Sequence, residues 1–89
     1  MEERLKYQKK KIHALLDESD CALTRLQISR ILGIERATVC RRVAELKGQG
    51  VLWVATVGLD PLTHTRAEFL TTRKDILEKY ANDIDLITR

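Results

Sequence analysis

Two cysteines, one proline, four glycines and four aromatic side chains are all that 89 residues contain of these types. Each shortage excludes something. Cys21 and Cys40 stand far apart, with no C-x-x-C spacing and no histidine pair, so no metal site and no disulfide framework is expected. Apolar runs are only a few residues long, too short to span a bilayer. Met1-Glu2-Glu3-Arg4-Leu5-Lys6 leads into lysines rather than an apolar stretch, so no secretory signal is read and a cytoplasmic protein is expected. Ser/His/Asp sets, paired carboxylates and Gly-rich phosphate loops are missing as well. A chain this short leaves little room for a pocket, so neither an enzyme nor a cofactor or small-molecule substrate is expected. Without repeats, low-complexity stretches or Gly/Ser linkers, residues 1–89 read as one small domain.

What is present is charge. Charged residues make up 33% against 44% hydrophobic, a balance that folds rather than stays disordered. The net charge is +3, unevenly placed: residues 1–50 carry 11 basic and 7 acidic side chains, residues 51–89 carry 5 and 6. The positive field therefore lies in the first half, where a polyanion would be drawn.

The few glycines and the proline divide the chain into five pieces. Over Glu2–Glu18, Leu5, Ile12, Leu15 and Leu16 recur at helical spacing. Thr24 and Gln27 form a capping-box pattern that opens a second helix, with Leu23 and Ile28 at the positions of a hydrophobic staple. Ile28, Ile31 and Leu32 are expected on its buried face, and Gly33 suits the left-handed turn that closes it. A third helix follows over Glu35–Gly48, with Val39, Val43 and Leu46 facing inward together. Val51–Val57, rich in β-branched residues, reads as a strand. Gly58–Thr63 is a turn, and Thr65–Thr71 the returning strand. Thr72-Arg73-Lys74-Asp75 reads as the cap of a last helix over residues 73–87. The class is mainly α with a small β-hairpin.

Within this order, residues 23–52 resemble the helix-turn-helix of winged-helix regulators, and are similar to the MarR-like group and its bacterial and phage relatives. The matching elements are Leu23-Thr24, Ile28, Leu32-Gly33-Ile34, Arg36-Ala37-Thr38-Val39, Arg42 and Gly50-Val51-Leu52. The flanking segments extend a looser similarity over about residues 12–80. The resemblance implies a helix-turn-helix at 24–48, a wing hairpin at 51–71 and a C-terminal helix. It also implies sequence-specific binding of double-stranded DNA and a regulatory outcome, repression before activation.

A recognition helix needs one face buried to fix its angle and the opposite face free for the major groove. Turning 100° per residue from Val39 puts Ala37, Thr38, Arg41, Ala44 and Glu45 away from the core. Arg41 is the foremost candidate, for a bidentate contact to guanine. Thr38 can touch a thymine methyl or a phosphate, while Arg36, Arg42 and Lys47 are placed for phosphates. Thr24 and Arg25 on the second helix, and His64 and Arg66 on the wing, are secondary candidates. Two features depart from the pattern. Glu35 is a poor helix cap and brings negative charge toward the groove. The wing tip carries Leu59, Asp60, Pro61 and Leu62 instead of a run of cations. An apolar, slightly acidic tip suits a protein partner as well, so the alternative is a winged-helix interaction adaptor or phage-encoded inhibitor that does not depend on DNA. Ile76, Tyr80, Ile84 and Ile87 recur every three to four residues near the end, and a homodimer seam is expected there.

Overall fold

The computed structural model describes the backbone of residues 2–88 and the side chains of residues 6–81. Within them lie four helices and one antiparallel hairpin: α1 (Glu2–Glu18), α2 (Arg25–Leu32), α3 (Arg36–Gly48), β1 (Trp53–Leu59), β2 (Arg66–Thr71) and α4 (Lys74–Thr88). The order of elements is the expected one. None of the described helices is long and apolar enough to cross a membrane.

α2 begins as the capping box requires. The Gln27 amide donates to Thr24 Oγ1 at 3.2 Å, and the Thr24 amide donates to Gln27 Oε1 at 2.9 Å, so two of the helix's free N–H groups are satisfied reciprocally. It ends at Gly33, whose φ of 67° turns the chain sharply toward α3 and lets its amide and that of Ile34 both donate to the Ser29 carbonyl. α3 starts less well: Glu35 sits at the cap without any side-chain bond to the helix.

The core gathers one stripe from each of the first three helices. Ile12 and Leu16 of α1, Ile28 of α2, and Val39, Val43 and Leu46 of α3 meet Leu23, Leu52 and Leu70, with Leu32 and Ile34 packed partly against them. At about 1.5–3 kcal/mol for each large apolar side chain buried, this contact fixes how α3 lies on the domain. Ile31 is a correction: it is 58% exposed, turned about 60° round α2 from Ile28 on the side away from the half-buried Leu32.

The hairpin is displaced from its expected bounds. The Val51 amide still donates to Leu46 O, closing α3 through Gly50 at φ 74°, so the strand starts only at Trp53 and runs on to Leu59. Pairing shifts between Val54 and Thr56, which leaves Ala55 as a bulge that kinks the ribbon. Leu23 makes an isolated bridge to Leu70, each amide donating to the other's carbonyl at 3.0 and 2.7 Å, so the residue before α2 acts as a one-residue third strand. That pairing ties the hairpin to α2.

α4 packs on the hairpin. The expected cap at Thr72 is corrected: its hydroxyl donates to Asp17 of α1 at 3.4 Å, while the Thr71 hydroxyl accepts the Arg73 amide. Arg73 holds Asp20, Asp75 and the Ser19 carbonyl together, clasping α4 to the α1–α2 connection. Opposed by some desolvation, these bonds raise the guanidinium pKa and lower that of the Asp75 carboxyl.

Candidate nucleic-acid interface

α3 presents two unlike faces. Val39 and Val43 are wholly buried, whereas Ala37, Arg41 and Ala44, on the opposite side, are exposed. The small alanines leave Arg41 standing clear of its neighbours, and among the described residues it has no ion-pair partner. Thr38 is half-buried at the edge of this face. Arg36 is exposed on the other edge, toward the hairpin.

The remaining basic candidates are partly committed within the molecule. Arg42 is a correction: it is only 8% exposed and lies on the α1 side of α3 rather than beside the free face. Its Nε is 2.6 Å from Glu45 Oε1, but the two are not aligned for a hydrogen bond, and neither atom has another partner among the described residues. Glu45 also turns toward α1, where its second oxygen is 3.3 Å from Lys9 Nζ. It is therefore held back from the surface that Arg41 occupies. Arg25 is joined to Glu68 of β2 at 2.9 Å, and Lys47 stands 4.0 Å from the same carboxylate. Both are partly exposed, and in high dielectric such pairs are worth about 0–1 kcal/mol, so a stronger anion can displace the carboxylate.

The hairpin tip is built around a buried acid. Asp60, expected to make the tip slightly acidic, instead points inward at 3% exposure. The Thr24 hydroxyl donates to its Oδ2 at 2.6 Å, and the Leu62 amide donates to Oδ1 at 2.8 Å. The Asp60 amide donates to Thr65 O and its carbonyl accepts the His64 amide, closing the loop tightly, with His64 in the left-handed region at φ 57°. The Thr24 bond holds the Asp60 carboxyl below its ordinary pKa against the desolvation that would raise it. Amides of the loop and the positive charge of Arg36 add to the lowering. Thr24 is thus buried and occupied twice, as helix cap and as donor to the tip, and has no free group for a phosphate.

Because Asp60 turns in, its neighbours turn out: Leu59 is 67% and Leu62 46% exposed. His64 and Arg66 are exposed beside them. Arg36, Arg25 and Arg66 line a cleft of ≈ 240 Å³ between α2, α3 and the hairpin, together with Thr63 and Thr65. Sequence reasoning placed these arginines separately; the Leu23–Leu70 pairing and the Asp60–Thr24 bond, the latter spanning 36 positions, hold the hairpin against α2 where the three meet.

The expected dimer seam does not survive intact. Ile76 is 4% exposed, buried within its own domain, and Tyr80 is half-buried. Ile84 and Ile87 lie outside the residues whose side chains are described.

The chain matches no protein family, no curated protein and no solved structure among those compared.

Proposed function

We propose that this chain is a winged helix-turn-helix protein that binds double-stranded DNA in a sequence-specific manner and regulates transcription. Repression, which needs only occupancy of a site, is the simplest outcome. α3 is the reading helix, and the single observation that carries this is the exposed Arg41 standing opposite the buried Val39 and Val43. With its valines fixed in the core, α3 offers the groove a narrow face of two alanines and one arginine, whose planar fork matches the O6 and N7 acceptors of guanine. Arg36 and Lys47 flank that face and serve phosphates, and Arg66 with His64 extends the contact along the wing. Paired half-sites about one DNA turn apart would be read by a dimer whose seam lies elsewhere than Ile76.

The test is titration of duplex DNA at several salt concentrations. The reading predicts an affinity that falls steeply as salt rises. An interaction adaptor is the second reading, favoured by the exposure of Leu59 and Leu62. A Leu59→Asp/Leu62→Asp change that abolishes activity in the cell while leaving duplex affinity unchanged would establish it.

A further inference from the structure

α1 carries its cations on two sides. Lys11 lies over the Tyr7 ring, 4.9 Å from its centre. Lys6, Lys9, Lys10 and His13 recur instead at i, i+3, i+4 and i+7 and share the other flank. With Leu46 and Gln49 from the end of α3, they enclose an open groove of ≈ 350 Å³. None of the described side chains lining it is a carboxylate. The nearby Glu45 is already shared between Lys9 and Arg42.

The lysines are not there to satisfy the end of α3. The carbonyls of Glu45, Leu46 and Lys47 accept the amides of Gln49, Val51 and Gly50, so the chain itself closes that end. The groove is left with a surplus of positive charge over an apolar floor. Lys9 pairs with Glu45, which stands one turn after Arg41 on α3 and turns its carboxylate toward α1, so the groove borders the side of α3 next to the Arg41 face.

We propose that this flank of α1 is a second DNA-contacting surface, holding the phosphodiester backbone beside the segment that α3 reads. The inference rests on the DNA-binding reading above and adds a footprint to it. From Lys6 to His13 the stripe extends about 10 Å along the helix. Phosphates follow one another every 3.4 Å or so of rise along each strand, so a stripe of that length spans about three of them, and Lys6 and Lys10, about 6 Å apart along the helix, each reach one. Lysines act here as point charges on phosphate, so this surface adds affinity without sequence preference.

Salt titration of a duplex with the full chain tests it, comparing the unaltered protein, Lys6→Ala/Lys10→Ala and Lys6→Arg/Lys10→Arg. Both lysines are exposed, and circular dichroism with a thermal melt checks that each variant folds. Two lost phosphate contacts lower the slope of log affinity on log salt by about 1.8. The affinity lost between roughly 50 and 200 mM salt then shrinks about 12-fold. Base preference stays unchanged, and the arginine pair restores the slope. An unchanged slope in the alanine variant, while the unaltered protein binds, overturns this inference and leaves the reading of α3 standing. Altered base preference in that variant overturns it too. Absence of any salt-dependent duplex binding by the unaltered protein overturns the DNA-binding reading itself, and this surface with it.

Discussion

Asp60 is the residue on which the geometry of the hairpin tip turns. It lies between two exposed leucines, yet its carboxylate is buried and bonded to the cap of α2. Asp60→Ala leaves the Thr24 hydroxyl and the Leu62 amide without their acceptor, a loss of about 1–3 kcal/mol measurable by denaturant unfolding. The sign of its pH dependence follows from the lowered pKa. The stabilisation is fully present above the ordinary carboxyl value of 3.8 and is lost as pH falls through the lower value in the folded protein. Unfolding followed from about pH 6 down to about pH 2 should therefore show a flatter acid limb in Asp60→Asn than in the unaltered protein. Parallel limbs would place the carboxylate in water. Arg42 makes the opposite case. Its charge is buried with poor hydrogen-bond geometry, and Lys9 remains to balance Glu45. Arg42→Met should keep stability within about 1 kcal/mol and leave duplex affinity alone. A tenfold fall in affinity would return Arg42 to the contact surface.

Among the elements, α2 was the most legible in the sequence, because its signals are local. Thr24 and Gln27 specify its start, and Gly33 its end, within ten residues. Gly33→Ala forces a Cβ into the left-handed region and should cost about 1–2 kcal/mol. Gly48→Ala, with open space around it and helical backbone, should be neutral or stabilise by about 0.5–1 kcal/mol. Equal effects in denaturant titration would mean that the turn does not depend on its glycine. The strands were less legible. β-branched residues begin at Val51, but the C-terminal closure of α3 claims that amide first, and no local pattern marks Ala55 as a bulge. Leu23 reads as a staple residue before α2, and nothing local signals its bridge to Leu70, which lies 47 positions away. The inward turn of Arg42 escaped for a similar reason. Helical periodicity gives an angle around α3, whereas burial depends on where α1 crosses it.

At the scale of the whole molecule, long-range bonds decide which surfaces are free. Glu45 and Glu68 engage four cations between them, Asp60 fixes the hairpin tip, and Ile76 is buried within its own domain. Ile76→Ala should therefore cost about 2–5 kcal/mol at any protein concentration. A midpoint that climbs with concentration would put this residue in a subunit seam after all. Among the surfaces left outward is the face of α3 with Arg41, and the account stands or falls there. Selection from random duplexes, repeated with Arg41→Ala, examines it directly. The account predicts an enriched sequence containing a guanine whose preference is lost in the variant, with affinity for that sequence reduced by about 1–3 kcal/mol. An identical sequence enriched by both proteins with equal affinity would contradict it.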